Sequence, residues 1–458
     1  MASLPSLTII ENSHVAPPHA TIGDHKSLPL TFFDIFWLNF IPVHTLFFYD
    51  IPLITKTHFT QTIIPNLKQS LSVTLQHFFP FVGKLILFPS NPTKMPEIRY
   101  VEGDSVTVTF AECNLDFNDL SGNHPRKCDK FYPLIPLLGS TNKVNDYISI
   151  PVFAVQVTLF PNHGISIGMT NHHSLCDAST RFCFMKAWTS IARSGGLNDQ
   201  PLLDNGITLP SYERVVQYPN LDQSYLKAAK VENFKEYQLP RLSGPSDKVR
   251  VSFKLTRTML NELKQIVSTQ LPTLKYVSAF TVACAYIWNC MVKLHNKDEL
   301  ALFVFAIDCR SRMDPPIPAS YFGNCLTSCM TTTRTDLING NEGFVMAAKL
   351  IGESLNKILT DKNGVVKDIV PFAELFPDGM PTMKMGVTGN PKLRFYDLDF
   401  GFGKPKKHET VSIDYQYGSI SMSASKESNE DLEIGMSLLA NEVDAFVRIF
   451  NEGLEAYI

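Results

Sequence analysis

Two neighbouring stretches in the first half of the chain alternate apolar and polar residues. Apolar side chains take every second position from Phe153 to Leu159 and again from Ile165 to Met169. The residues Pro-Asn-His-Gly lie between the two stretches. Because a period of two is typical of strands and this tetrapeptide favours a turn, the pattern predicts a β-hairpin.

The period changes shortly after this hairpin. Apolar residues now recur at three-residue steps, at Phe182, Met185, Trp188 and Ile191. This spacing is typical of one face of a helix. The segment between the two patterns, NHHSLCDAST at residues 171–180, is therefore predicted to lie at a strand-to-helix junction.

The remaining chain predicts mixed α and β structure on both sides of an irregular segment. Residues 194–220 lose periodicity and gather Gly, Pro, Asn and Asp, which indicates an interdomain crossover. We therefore expect an N-terminal domain at 1–193 and a C-terminal domain at 221–458. The second domain is predicted to contain strands at 249–255 and 301–307, helices at 278–292 and 441–456, and alternating strand patterns at 411–415 and 420–422.

Composition narrows the class of protein. A chain of 458 residues exceeds the usual size of one hydrophobic core, and a net charge of -3 gives no electrostatic reason to expect nucleic acid. Nine cysteines without a CxxC pair indicate free thiols in a reducing compartment. The first residues lack a basic segment followed by an apolar one, and the apolar runs are too short to span a bilayer. We expect a soluble, cytoplasmic protein without a membrane partner.

The junction segment has three chemical interpretations. His172, His173 and Asp177 could bind a metal, but adjacent residues of a strand point to opposite faces, which disfavours convergence. Asp177 could instead cap the following helix, with one histidine in the core. Alternatively, one histidine is a general base that activates a hydroxyl group, with the aspartate fixing the local geometry.

A second motif far downstream favours the general base. Residues 399–405 read DFGFGKP, and together with the HxxxD pattern of His173 and Asp177 they resemble the BAHD acyltransferases of plant specialised metabolism. YFGNC at 321–325 is similar to the anthocyanin and flavonoid glucoside branch of that family. The resemblance extends along the chain through LTFFDIFWL, LQHFFPFVGKL and LPTLKYVSAFTVACAYIW, and is greatest to anthocyanin 3-O-glucoside 6″-O-malonyltransferases.

The resemblance implies a fold and an activity. The expected fold is α/β, with two similarly built mixed-sheet domains like those of chloramphenicol acetyltransferase, joined by a long crossover with a channel between them. The implied reaction moves a malonyl group from malonyl-CoA, a co-substrate, to a sugar hydroxyl of a flavonoid glucoside, without a bound cofactor or metal. Two alternatives are a hydroxycinnamoyl-CoA donor and a non-catalytic member that binds phenolic ligands. We expect a monomer, because the family's channel lies within one chain.

The resemblance also assigns roles within the HxxxD motif. His173 is implied to be the base, and Asp177 is implied to pair with Arg310 in a structural role. Arg181 would then be free to bind the carboxylate of a malonyl group, because a guanidinium binds carboxylates bidentately. The alternative for Arg181 is an ordinary salt bridge. Cys176 is a rival nucleophile, but nothing in the sequence around it favours a lowered thiol pKa.

The DFGFG motif is expected to support the architecture of the site. We group Asp399 with the catalytic residues, although the resemblance implies that it pairs within the second domain and does not touch substrate. Gly401 and Gly403 allow a tight turn. Phe402 replaces a tryptophan that is common in the family, so packing is retained but an indole N–H is lost.

Coenzyme A binding is expected at the start of the predicted helix at 278–292. The resemblance points to Lys275 and Ser278, where a helix N-terminus and positive charge favour phosphate. Lys404, Lys406 and Lys407 form a second basic cluster that either meets phosphates or is merely solvated. Asn324 is a possible polar contact to the reacting centre, or a turn-forming residue.

Overall fold

The computed structural model describes residues 7–196, 199, 202, 206–216, 218–236, 241–360 and 381–457. Strands and helices alternate in both halves, so the predicted α/β class is confirmed. The strands are β1 (Thr8–Val15), β2 (His25–Pro29), β3 (Val43–Asp50), β4 (Lys84–Leu87), β5 (Glu97–Val101), β6 (Val106–Glu112), β7 (Arg126–Lys127), β8 (Asn142–Val144), β9 (Tyr147–Pro151), β10 (Phe153–Phe160), β11 (Gly164–Asn171), β12 (Lys248–Leu255), β13 (Leu300–Asp308), β14 (Leu326–Arg334), β15 (Met383–Thr388), β16 (Lys407–Thr410), β17 (Ser419–Ala424) and β18 (Leu432–Leu439). The helices are α1 (Phe32–Ile35), α2 (Lys56–His58), α3 (Ile64–Leu75), α4 (Phe117–Leu120), α5 (Ala178–Arg193), α6 (Pro219–Ala229), α7 (Arg257–Gln270), α8 (Ala279–His295), α9 (Asp336–Asn339), α10 (Gly343–Thr360) and α11 (Val443–Tyr457).

The predicted hairpin forms the centre of a six-stranded mixed sheet in the order β1-β6-β10-β11-β3-β16. Phe153 of β10 lies opposite Asn171 of β11. Both strands are buried along their whole length, so the polar positions of the alternation are covered as well. Gln156, for example, donates to the carbonyl of Pro133 at 2.8 Å. The hairpin thus holds its C-terminal end, where the HxxxD motif begins, in a rigid interior.

Two further sheets complete the described fold. A seven-stranded mixed sheet has the order β14-β13-β15-β17-β18-β12-β7, and a five-stranded sheet has the order β2-β5-β4-β9-β8. Two large apolar cores accompany them, one built mainly from the first half of the chain and one from residues 251–454. Phe395, Leu398 and Phe400 belong to the first core although they come late in the chain.

Each half of the chain contributes a strand to the sheet of the other half. β16, from the second half, pairs antiparallel with β3, while β7, from the first half, pairs antiparallel with β12. Buried charges join these strands: Glu409 of β16 meets Arg126 at 2.8 Å and Arg250 at 3.0 Å. Burial raises the pKa of Glu409, but the surrounding cations lower it to about 2. The carboxylate therefore remains charged and links the two sheets.

Most predicted elements have counterparts, and one pattern was misread. Alternation at 411–415 predicted a strand, whereas Val411–Tyr415 forms a 3₁₀ helix. In a 3₁₀ helix, residues three apart lie on the same side. Asp414 lies in this helix and forms an ion pair with Arg250 at 2.7 Å. Within the predicted crossover, residues 197, 198, 200, 201, 203–205 and 217 lie outside the described part of the chain. No helix among the described residues is long and apolar enough to cross a bilayer.

Candidate active site

One large cavity, with a volume of about 1970 Å³, lies between elements of the two halves. Side chains of α5 and the loop before it line one part of the cavity, and β13, β15 and β17 line another. The lining includes His173, Arg181, Ser278, Asp308 and His408. A cavity of this size can accept two substrates side by side.

His173 occupies the short turn between β11 and α5, where the chain leaves the sheet. The residue is partly exposed, its Nδ1 atom is covered, and the ring lines the cavity. Burial lowers the pKa of His173 from 6.5 to about 4; its own backbone hydrogen bonding raises the pKa, and the Arg181 cation lowers it. The imidazole is therefore neutral near pH 7 and can accept a proton.

An aromatic residue from the LTFFDIFWL segment covers the imidazole. The Trp37 ring lies 3.7 Å from the His173 ring, at an interplanar angle of 6°. Phe36 and Phe40 contact the indole in turn, at 4.8 and 4.6 Å between ring centroids. The stack holds the imidazole in one plane and removes water from one of its faces. Sequence reasoning noted this segment but did not identify Trp37 as a site residue.

The backbone of His173 is held from the second half of the chain. The Asn324 amide donates to the His173 carbonyl at 3.0 Å and to the buried Asp34 carboxylate at 3.1 Å. Asp34 also accepts from the Thr31 backbone N–H at 3.1 Å at the start of α1. Asn324 does not line the cavity, so it contacts the main chain of His173 rather than the position of a reacting group.

Asp177 is buried beside the cavity, and its carboxylate makes two kinds of contact. Its Oδ1 accepts from the backbone N–H of Thr180 at 2.9 Å and caps α5. Its Oδ2 accepts from Arg310 at 2.7 Å and from the backbone of Cys325 at 3.2 Å. Arg310 also donates to the carbonyl of Gly323 at 3.0 Å. The carboxylate of Asp177 thus both caps α5 and pairs with Arg310. It joins the two halves of the chain.

Arg181 lies one helical turn after Asp177 and is 8% exposed. Its guanidinium donates to the amide oxygen of Asn171 at 3.3 Å. Within the described ranges it makes no ion pair with a carboxylate, because Asp177 is engaged by Arg310. Burial lowers the pKa of Arg181, which shows how completely the cation is desolvated. A buried cation beside His173 is therefore left facing the cavity.

The other groups of the motif do not supply a metal site or a nucleophile. His172 is fully buried, and its Nδ1 accepts from the Ser174 backbone at 3.2 Å. No group of three His, Cys, Asp or Glu side chains suited to a metal converges within the part of the chain that the structure describes. Burial raises the pKa of the Cys176 thiol, so the thiol remains protonated.

The DFGFG loop lies against the first half of the chain and does not line the cavity. Asp399 accepts from the backbone N–H groups of Gly401 at 2.8 Å and Gly403 at 2.9 Å. Both glycines have a positive φ, 104° and 102°, which explains the need for glycine there. Phe402 packs edge-on against Tyr49 at 5.1 Å. Asp399 was expected to pair within the second domain; its carboxylate closes its own loop, and that loop packs on α5 and β3.

The residues expected to bind coenzyme A occupy different positions. Ser278 caps α8, accepts from the Thr281 backbone at 3.1 Å and lines the cavity, whereas Lys275 is exposed just outside the lining. The downstream lysines are engaged elsewhere. Lys404 pairs with Asp397 at 2.8 Å, Lys406 donates to Asn118 at 2.7 Å, and the buried Lys407 pairs with Glu433 at 2.7 Å. These three lysines therefore have separate partners, and a different lysine, Lys264 of α7, lines the cavity.

The sequence and fold have clear relatives. The model of the Transferase family matches residues 5–452. A malonyl-coenzyme A:anthocyanin 3-O-glucoside-6''-O-malonyltransferase of Dahlia pinnata is 54% identical over the full length of both chains. A malonyl-coenzyme:anthocyanin 5-O-glucoside-6'''-O-malonyltransferase of Salvia splendens is 39% identical over 98% of this chain and 96% of its own.

Solved structures show the same fold at low identity. The crystal structure of vinorine synthase superposes with a TM-score of 0.67 and 20% identity over 96% of each chain. The two-domain α/β architecture expected from the sequence is therefore shared with an experimentally determined fold. By its family match and its full-length relatives, the chain belongs to this transferase family, the BAHD acyltransferases.

Proposed function

We propose that this protein transfers a malonyl group from malonyl-CoA to a sugar hydroxyl of an anthocyanin or a related flavonoid glucoside. The relatives from Dahlia pinnata and Salvia splendens carry this reaction type in their names. The observation that carries the choice of donor is Arg181, a buried cation in the cavity that makes no ion pair within the described chain.

His173 acts as the general base in this proposal. Its neutral imidazole accepts the proton of the sugar hydroxyl while the oxygen attacks the thioester carbonyl, forming the new C–O bond. The C–S bond then breaks, and the imidazolium returns its proton to the departing thiolate. The acyl group passes directly between the two substrates, because the thiol of Cys176 stays protonated and offers no competing nucleophile.

Arg181 selects the malonyl group. A buried charge is normally paired, and a guanidinium fits a carboxylate through two parallel hydrogen bonds. The neutral Asn171 amide fixes one side of the guanidinium without neutralising it. A donor that ends in a carboxylate completes this pair, whereas a neutral acyl group leaves the cation unpaired.

Coenzyme A is held at the other end of the cavity in this proposal. Ser278 caps α8, whose N-terminal N–H groups favour phosphate. Lys275 adds positive charge three residues before the cap, and Lys264 adds positive charge to the cavity lining. Asp177, Arg310, Asp399, Gly401 and Gly403 support the architecture around the reacting groups.

The protein's organisation follows the same proposal. We infer two domains, 1–193 and 221–458, joined by a linker at 194–220, and a monomer, because side chains of both halves line one cavity. All nine cysteines are free, eight of them buried, which supports work in the reducing cytoplasm.

A competition assay tests the choice of donor. Purified protein receives cyanidin 3-glucoside with equimolar malonyl-CoA and coumaroyl-CoA, and the products are separated. We expect the malonylated product from the wild type. In Arg181→Ala, the KM for malonyl-CoA should rise about a hundredfold, a loss of ~2.7 kcal/mol, and Arg181→Lys should fall between the two.

Arg334→Ala serves as the matched control, since it removes an exposed arginine that pairs with Asp298. A dominant coumaroyl product, or an unchanged KM in Arg181→Ala, would contradict the malonyl donor. If neither product forms while the glucoside still binds, the protein is one that only binds phenolic ligands.

A further inference from the structure

A second histidine faces the same cavity and has no part in the mechanism described so far. His408 lies in β16, the strand that the second half of the chain contributes to the first sheet, and it is 8% exposed. Its ring packs against Phe47 and Phe395, each 4.7 Å away, at interplanar angles of 24° and 25°. The two phenylalanines lie 6.0 Å from each other, so they cover adjacent sides of the imidazole rather than its two faces. These aromatic contacts restrict the orientation of the imidazole.

The polar edge of this ring is incompletely satisfied. The Nε2 atom of His408 is buried and has no hydrogen-bond partner among the described residues. A buried polar atom without a partner is costly, so a small shift of the ring that brings Nε2 to a ligand in the cavity gains free energy. Burial, with a smaller contribution from the nearby Arg181 cation, lowers the pKa of His408 to about 3, so the ring is neutral near pH 7.

The aromatic contacts of His408 also lead to the helix that carries Arg181. Phe395, which stacks on His408, meets Phe182 edge-on at 5.3 Å. Phe182 follows Arg181 in α5, and both Arg181 and His408 line the cavity. A cation and a neutral imidazole from different halves of the chain are thus presented to one ligand.

We propose that His408 is a second binding residue for the carboxylate of the acyl donor, donating a hydrogen bond from its neutral imidazole while Arg181 supplies the positive charge. This inference rests on the proposed malonyl transfer. A carboxylate has more acceptor positions than one guanidinium fills, so a second donor is needed when water is excluded. The neutral imidazole of His408 can donate this hydrogen bond without the repulsion that a second cation would exert on Arg181.

The test compares an acyl donor that carries the carboxylate with an acyl donor that lacks it. Malonyl-CoA and acetyl-CoA are assayed separately with wild type, His408→Phe and His408→Gln, at fixed cyanidin 3-glucoside. Phenylalanine keeps the aromatic contacts but has no hydrogen-bond donor, whereas glutamine restores an N–H group. We expect His408→Phe to lower kcat/KM for malonyl-CoA at least tenfold, to leave acetyl-CoA within twofold, and to be partly rescued by His408→Gln.

Each result has one meaning. The role of His408 would be overturned if His408→Phe lowered kcat/KM equally for malonyl-CoA and acetyl-CoA, or if it kept the full preference for malonyl-CoA. In both cases a wild-type preference for malonyl-CoA leaves the proposed function standing. A wild type that does not prefer malonyl-CoA would instead overturn the proposed function itself. Thermal melting and the KM for cyanidin 3-glucoside accompany each assay, so that a folding defect of His408→Phe is detected. A KM change confined to the glucoside would also overturn the inference.

Discussion

The indole of Trp37 lies parallel to the imidazole of His173, 3.7 Å away. The contact joins the turn that follows α1 to the turn that carries the proposed base. It shields one face of the imidazole and leaves the cavity side free for a substrate hydroxyl. Trp37 is thus a positioning residue: it acts on the orientation and hydration of His173.

Replacing Trp37 should affect turnover more than donor binding. We expect Trp37→Ala to lower kcat by about 10- to 100-fold, because the imidazole loses its fixed plane, while the KM for malonyl-CoA stays within threefold. Trp37→Phe keeps an aromatic face and should retain most of the activity. Steady-state kinetics of the two variants give the comparison, and a change in KM alone would contradict the positioning role.

The pH profile should show a base with a depressed pKa. Since burial lowers the pKa of His173 to about 4, the imidazole remains an acceptor until the pH falls through that value. We therefore expect kcat/KM for the sugar acceptor to be flat from pH 7 to about 5 and to fall below it. A midpoint near the ordinary histidine value of 6.5 would contradict the desolvated environment.

Removing the base should abolish turnover. We expect His173→Ala to lose on the order of a thousandfold or more in kcat, because the imidazole that accepts the proton of the sugar hydroxyl is removed. Binding of malonyl-CoA, measured by calorimetry, should persist, since Arg181 is untouched. His25→Ala, which removes an exposed histidine of β2, is the matched control.

Asp177 should matter for stability through Arg310. Asp177→Ala leaves Arg310 buried without its closest carboxylate and removes the cap of α5, a combination expected to cost roughly 3 to 5 kcal/mol of unfolding free energy. Urea unfolding measures the loss. The exposed pair Arg334 and Asp298 provides the comparison, because Asp298→Ala should cost less than about 1 kcal/mol.

The tryptophan common in the family's second motif should be dispensable here. Phe402 packs against Tyr49 outside the cavity lining, so an indole N–H at this position cannot reach the reacting atoms. We expect Phe402→Trp to keep kcat and KM within about threefold. A large gain in kcat would show that the motif contributes a hydrogen bond to the reaction after all.

Local patterns in the sequence predicted the position of the proposed base well. The change of period around His173 marks the end of a strand and the start of a helix, and Asp177 has the side chain that such a start requires. These features depend on neighbours in the chain. The pairing of Asp177 with Arg310 came from family resemblance, because nothing local links two positions so far apart.

The contacts that sequence reasoning missed all join distant segments. The stack of Trp37 on His173 and the contact of Phe47 with His408 leave no periodic signal, since an aromatic residue in a core and one beside a base look alike in sequence. The alternation at 411–415 misled for a related reason. Asp414 is drawn inward by Arg250, and this tertiary ion pair outweighs the local strand pattern.

The strand contributed by the second half also constrains how the chain can be built during synthesis. The β3 edge of the first sheet is covered by β16, which ends at Thr410. Until the ribosome has delivered those residues, an otherwise complete first sheet presents an open edge able to pair with other chains. The same step places His408 beside the cavity, so the edge is closed and the cavity is completed together, late in translation.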